Sequence, residues 1–351
     1  MKQLPQNKYL PINLLAACFN NTSATYKYYW LLSIIQAIES GKTLITKREL
    51  FSRMISAAWY TVNYFHVSFG KQDRLQRAVE NIKNFENLTI DASKGSILDT
   101  LINSENRCTL RELNYFNNQV PHWFLSPWFP GKDKANLYKY SQDFKNTCPY
   151  ALHNDFIQVN LAWVNYFLEN AGLIKDFCYW NLSIFLQAKN PSVPDIPNKI
   201  IKPAFRSSLI KQRIHFWDIV ITELRGIDCI YTKKHLTVGD YAIEHFIPYN
   251  FVSHDLIWNL IPADKSFNSA KSDKLPPMDR YFDSFFSLQK KAIKIIWEKE
   301  PRNKFLEDYL TIFSGIDEIT SLKSGITKDK FRDRIQPLVT IASNNGFEFL
   351  K

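Results

Sequence analysis

Apolar side chains recur at three- and four-residue intervals through much of the N-terminal half, and that spacing commits it to helices. TYKYYWLLSIIQAIES (25–40) places Tyr29, Leu32, Ile35 and Ile38 near one face, and Glu39-Ser40-Gly41 supplies a C-terminal stop. KRELFSRMISAAWYTVNYF (47–65) repeats the pattern, with Thr46 as N-cap and Glu49 three residues on. DRLQRAVENIKNFENL (73–88) is a third amphipathic stretch with a basic outer face. VNLAWVNYFLENAGL and FCYWNLSIFLQAKN supply two more, ending near Gly172 and Asn190. HWFLSPWFPG is aromatic and proline-broken and reads as a loop or short strand. Glycine is scarce, 10 in 351 residues, which argues against a turn-rich all-β fold.

NPSVPDIPNKIIKP (190–203) holds four prolines in fourteen residues. Proline excludes a regular helix there and stiffens the chain, so the run marks a domain boundary. The expected organisation is a helical domain over 1–190, a proline-rich connector over 191–204 and a second domain over 205–351. In the second domain SSLIKQRIHFWDIVITELRG (207–226) reads as a helix, as do FDSFFSLQKKAIKIIWEKE (282–300) and KDKFRDRIQPLVTIASNNG (328–346).

No apolar run approaches the ~20 residues that cross a bilayer, and Pro5 and Pro11 break the start of the chain before a signal peptide could form. The five cysteines are scattered, odd in number and form no CxxC pair, so a reducing cytoplasmic setting is the expectation. Formal net charge is +10, from 44 Lys+Arg against 34 Asp+Glu, which suits a polyanionic partner. Lys47, Arg48, Arg53, Arg74, Arg77 and Lys83 could form a DNA-facing set on the N-terminal helices, or a solvated face. Tyr26, Tyr28, Tyr29 and Trp30 could stack bases, or fill a core. Gly41-Lys42-Thr43 resembles the end of a nucleotide-binding loop, but Gln36 stands where its first glycine should be and no strand precedes it.

The segment richest in chemistry runs from Cys229 to Pro276. YAIEHFIP alternates apolar residues and reads as a strand ending at Pro248, with Glu244 and His245 on opposite faces near its end. A polar loop with Asn250, Ser253, His254 and Asp255 follows. WNLIPADKSFNSAKS then reads as a turn or short strand entering a helix, and Asn268 and Lys271, three apart, share a helical face. Phosphodiester hydrolysis needs an activated water, a divalent ion and a cation near the phosphate oxygens. A histidine can take the water's proton at neutral pH. A carboxylate with an amide oxygen makes an oxygen-only site suited to Mg2+ or Mn2+.

This segment resembles the HNH (ββα-metal) nuclease family, and within it the HNH domain of the RNA-guided CRISPR effector nucleases. The resemblance rests on the acidic-His-x-x-Pro strand EHFIP, on Asn259 fourteen residues after His245, on Asn268 nine further, and on the closing KSDKLP. CIYTKK is similar to the Cys-x-Tyr-Thr lead-in of such proteins. It covers about 48 of the 351 residues, 229–276. The resemblance implies His245 as general base, Glu244 and Asn268 as ligands of one Mg2+ or Mn2+ ion, and Asn259 as the residue that fixes the loop and orients His245. It makes Lys271 a phosphate contact, although Lys271 and Lys274 read equally as solvated surface lysines. His254 is a further candidate for a catalytic or phosphate-contacting role. Glu244 stands where many relatives carry Asp, and Asn268 where many carry His, an HNN variant. Cys229 stands alone, so no structural zinc is expected.

The implied architecture is mainly α: a helical N-terminal domain that recognises DNA, a partner protein or a second copy of the chain, then an HNH ββα core embedded in helices. The implied activity is a DNA endonuclease acting on double-stranded DNA, with a place in restriction or phage defence. The competing readings are a weak or inactive HNH-fold protein that binds nucleic acid or builds a complex, and an RNA-cleaving toxin.

Overall fold

A computed structural model describes residues 4–200, 207–313 and 326–351. The chain is mainly α with a few small sheets, as the periodicity predicts. It divides into two compact units, Met1–Pro191 with Ile196–Lys202, and Ser192–Asp195 with Pro203–Lys351. Within the proline-rich run one helical turn does form, at Ile196–Lys199. Pro197 sits in its first turn, where the missing N–H has no helical partner to lose.

Unit 1 is built around α1 (Tyr26–Glu39). Tyr28, Tyr29, Trp30, Leu31, Leu32, Ser33, Ile34 and Ile35 are all buried, so this helix is enclosed on every side rather than along one stripe. Of the aromatic set, Tyr28, Tyr29 and Trp30 are therefore core, and Tyr26 is half-buried. Trp30 Nε1 donates to Tyr150 Oη at 2.9 Å, and Tyr150 in turn donates to the Pro121 carbonyl at 2.7 Å, which satisfies both buried polar ends. The helix α2 (Lys47–Asn63) packs on α1, and α3 (Arg74–Phe85) and α4 (Lys94–Asn103) pack on α2. Thr46 caps α2 through the Glu49 N–H, as its position predicts, and Asp73 caps α3 through the Leu75 N–H. Helices α5 (Arg107–Tyr115), α6 (Leu161–Glu169) and α7 (Ala171–Lys189) complete the shell.

The helical reading of this half misses a small antiparallel sheet in the order β1 (Leu44–Thr46), β3 (Phe156–Val159), β2 (Tyr150–Leu152). HWFLSPWFPG forms no strand; its start closes a helical turn, Val120–Trp123, with Pro121 in a position that needs no donor.

Unit 2 opens with a helix interrupted by a π turn at Arg213–Trp217, which continues as α8 (Asp218–Leu224). It stops at Arg225 and Gly226, both with positive φ. At Gly226 a φ of +108° favours glycine, and a Cβ there would also displace the exposed His235 ring, whose Nε2 would lie 2.2 Å away. The strands β4 (Ile227–Asp228) and β5 (His235–Leu236) form one hairpin. The strands β6 (Ala242–His245) and β7 (Leu260–Ala263) pair antiparallel, with Glu244 opposite Ile261 and His245 opposite Leu260. Asp264 then caps α9 (Lys265–Lys271), accepting from the Ser266 and Phe267 N–H groups. The long α10 (Met278–Lys299) supports the hairpin. Its buried Gln289 donates to the carbonyls of Ile257 and Leu260, and Phe285 stacks on Phe246 with ring centroids 3.9 Å apart. The last helix is α11 (Lys328–Asn344).

Candidate active site

Period-two alternation along β6 sends Glu244 and His245 to opposite sides of the hairpin. His245 is mostly buried, and its Nε2 lies 2.9 Å from Oδ1 of Asp255. A carboxylate can only accept, so that ring nitrogen carries the proton. Asp255 comes from the loop between β6 and β7, ten residues on, and was read in the sequence only as part of a polar loop. The Tyr249 ring stands edge-on to His245 at 5.6 Å.

Glu244 is enclosed, with 2% of its side chain exposed. One carboxylate oxygen lies 2.5 Å from Nζ of Lys271, and the other accepts from the Tyr231 hydroxyl at 2.9 Å. Burial pushes the Glu244 carboxyl upward, and Lys271 and Tyr231 pull it back. Burial, with the Glu244 charge adding to it, holds the Tyr231 hydroxyl far above its ordinary value, so it stays a donor. Phe267 of α9 stacks on Tyr231 at 4.5 Å and seats the helix against β6. Tyr231 belongs to the CIYTKK lead-in, and its contact with Glu244 is a function that sequence reasoning did not assign. Cys229, in the same lead-in, is fully buried, and its Sγ accepts from the Asp264 N–H at 3.5 Å.

Lys271, expected either at the surface or against phosphate, is 1% exposed. Its ammonium is directed to Glu244 and to the His245 carbonyl, 2.9 Å away, so one side chain ties α9 to both residues of the motif. Lys274 is half-buried, in the turn after α9, where its N–H donates to the Lys271 carbonyl. His254 is half-buried and edge-on to Trp258 at 5.1 Å, and its Nδ1 accepts from the Leu256 N–H at 3.4 Å.

Asn259 is fully buried and clamps the loop. Its Nδ2 donates to the Ile247 carbonyl and its Oδ1 accepts from the Ile247 N–H, both at 2.8 Å, while its own carbonyl accepts from the Phe246 N–H. Three bonds thus fix the residues directly after His245. Asn259→Ala would orphan a buried donor and a buried acceptor, at about 1–3 kcal/mol each. The expected result is a lower urea midpoint for the unfolding of unit 2, by about 2–6 kcal/mol in stability. An unchanged midpoint would rule out the clamp.

Asn268 lies on α9 one turn before Lys271, and its half-buried side chain makes no hydrogen bond among the described residues. Glu244 and Asn268 together offer carboxylate and amide oxygens, the donor chemistry a hard divalent ion takes, with no thiolate or imidazole, while both Glu244 oxygens are engaged by Lys271 and Tyr231. Among the described residues no group of three or more His, Cys, Asp or Glu gathers to hold a metal. Glu244 and Asn268 would thus be a sparse pair of protein ligands, of the kind Mg2+ accepts while keeping several waters.

A short antiparallel hairpin running into a capped helix, with carboxylate and histidine adjacent on its first strand, is the ββα class of nuclease fold. Residues 229–277 match the model of a family described as HNH endonuclease, and this segment is an HNH endonuclease domain. HNH nucleases act on nucleic acid and generally use divalent metal ions. The match is to HNH endonucleases as a whole and does not extend to the narrower likeness to RNA-guided effectors. No curated protein and no solved structure matches the chain. Among the described residues no helix is long and apolar enough to cross a membrane.

The basic residues singled out in unit 1 are mostly engaged within it. Arg53 pairs with Glu49 at 2.8 Å, and Arg74 lies over the Tyr115 ring at 4.1 Å and 3.7 Å from Glu112. Arg48 donates to the Leu101 and Ser104 carbonyls at the end of α4, and Lys47 is buried. Arg77 is exposed and Lys83 half-buried.

Proposed function

We propose that unit 2 is a metal-dependent endonuclease that hydrolyses phosphodiester bonds of DNA, with His245 as general base. The observation that carries this reading is the hydrogen bond from Nε2 of His245 to Asp255. With the proton on Nε2, the basic lone pair of the neutral ring is on Nδ1, and that nitrogen would take the proton of the attacking water. As the ring becomes imidazolium, Asp255 stabilises the charge and keeps the ring from turning. Asp255 is a positioning residue in this scheme.

Glu244 and Asn268 would hold one Mg2+ or Mn2+ ion. When bound, it would bear charge that develops on the phosphate and on the leaving oxygen. Tyr231 and Lys271 fix the Glu244 carboxylate, and Asn259 fixes the backbone that carries His245. Lys274 and His254, beside the hairpin, would meet the phosphate backbone. The net charge of +10 suits a polyanion, which we take to be double-stranded DNA. A protein with this activity and an added helical unit suits restriction or phage defence. Unit 1 would supply recognition, of the nucleic acid or of a protein partner, a second copy included.

The test is cleavage of supercoiled plasmid by the full chain, with parallel single-stranded and structured RNA. Nicking is expected with Mg2+ or Mn2+ and should vanish when EDTA removes the ion. RNA cut while DNA stays whole would overturn the DNA assignment. Cleavage that persists in EDTA would overturn the metal.

A further inference from the structure

Unit 1 contains a cavity of about 700 Å3 between the start of α2 and α5. That lies within the ~300–1,000 Å3 range of small-ligand sites. Its lining is mainly basic: Lys47, Arg48, Arg107 and Arg111 against one carboxylate, Asp155, with the Arg48 guanidinium already bonded to the Leu101 and Ser104 carbonyls.

Arg107 and Arg111 are four residues apart on α5, so their guanidinium groups share a face and can reach one anion together. Both are exposed, and neither pairs with a carboxylate among the described residues. Lys47 lines the same cavity. Its side chain is buried, and Nζ donates to Asn117 Oδ1 at 2.9 Å, to the Asn154 carbonyl at 2.9 Å and to the Tyr138 hydroxyl at 2.5 Å. All three partners are uncharged, and no carboxylate lies within ion-pair distance among the described residues. Burial, with the charge of Lys134 adding to it and that of Asp155 opposing it, lowers the Lys47 ammonium to about 8. Its three N–H groups are thus all satisfied, so the donors open to an anion from outside are the unpaired guanidinium groups of Arg107 and Arg111.

The rest of the lining says which kind. Phe51, Leu110 and Leu113 give the cavity an apolar floor that a bare inorganic anion would not use. Asn114, Asn117 and Asn154 bring side-chain amides, which both donate and accept as the edges of nucleobases do. We propose that this cavity binds one nucleotide unit, its base over the Phe51–Leu110–Leu113 floor and its phosphate between Arg107 and Arg111. The unit could be a free mononucleotide or one nucleotide of a strand, since the recognised chemistry is the same. The site stands on unit 1 alone and does not depend on the nuclease reading of unit 2.

The test is calorimetric titration of the full chain in EDTA with 5′-nucleoside monophosphates, the matching nucleosides, inorganic phosphate, and short single-stranded and duplex oligonucleotides. The comparison is Arg107→Gln/Arg111→Gln, both exposed positions, with circular dichroism and melting to establish that it folds. A monophosphate is expected to bind more tightly than its nucleoside or phosphate alone, and at least about tenfold more weakly to the double variant, the order set by loss of charge-assisted hydrogen bonds. Oligonucleotides that bind with the same arginine dependence while monophosphates do not would assign the nucleotide to a strand. The proposal is overturned if nothing binds, if wild type and variant bind alike, or if phosphate alone binds as tightly as the monophosphates.

Discussion

His245→Ala is expected to lower plasmid nicking by about 10²- to 10⁴-fold, the range over which a positioned general base contributes. The ring is mostly buried on β6, so truncation also removes packing. Melting of the variant and a second substitution, His245→Gln, separate the two effects. Glutamine fills similar space but offers no basic nitrogen, so it should fold well and stay as inactive as alanine. Asp255→Asn should lower kcat by at least about tenfold with KM little changed, because the amide can donate to Nε2 and so favour the wrong tautomer. It should also move the pH profile of nicking, which a purely structural contact would leave in place. If folded His245→Gln nicks as fast as wild type, the imidazole is not the base and the mechanism proposed for unit 2 fails.

How much of this was legible beforehand follows from the range of each interaction. The helices were, because their signals are local: the spacing through Tyr26–Glu39 and the Thr46–Glu49 cap each involve residues within a turn or two. Asn259 was legible from the motif's spacing, and its bonds to Ile247 span twelve residues across one turn. The three-stranded sheet of unit 1 was not. Its strands are three or four residues long, too short for alternation to register, and β1 pairs with β3 across more than a hundred residues of helix. Asp255 and Tyr231 were unassigned for a related reason. Each lies in a loop or turn, and only the folded hairpin brings it to His245 or Glu244. Lys271 was correctly placed on the Asn268 face of a helix, but a lysine's position alone does not tell whether its ammonium turns outward to phosphate or inward to a carboxylate. Burial of Glu244 decides that, and burial is a property of the packed unit.

That inward turn leads to the second large effect. Lys271→Met is expected to destabilise unit 2 by about 3–5 kcal/mol, because it leaves the Glu244 carboxylate buried without its counter-charge and with only the Tyr231 hydroxyl as partner. It also removes the donor to the His245 carbonyl. A lysine whose task was to meet phosphate at the surface would behave otherwise: its loss would raise KM and leave the urea midpoint alone. The double variant Glu244→Gln/Lys271→Met should recover much of the stability, since a buried ion pair replaced at both ends is often close to neutral whereas one broken at a single end is not. A double-mutant cycle on urea midpoints should therefore return a coupling of about 3 kcal/mol or more between the two positions. Nicking need not follow stability. The double variant folds but lacks the carboxylate proposed to hold the ion, so its activity should stay lost at every Mg2+ or Mn2+ concentration tested. Recovery of both stability and nicking in that protein would make Glu244 a structural partner of Lys271 alone, and the ion's ligands would have to be sought elsewhere.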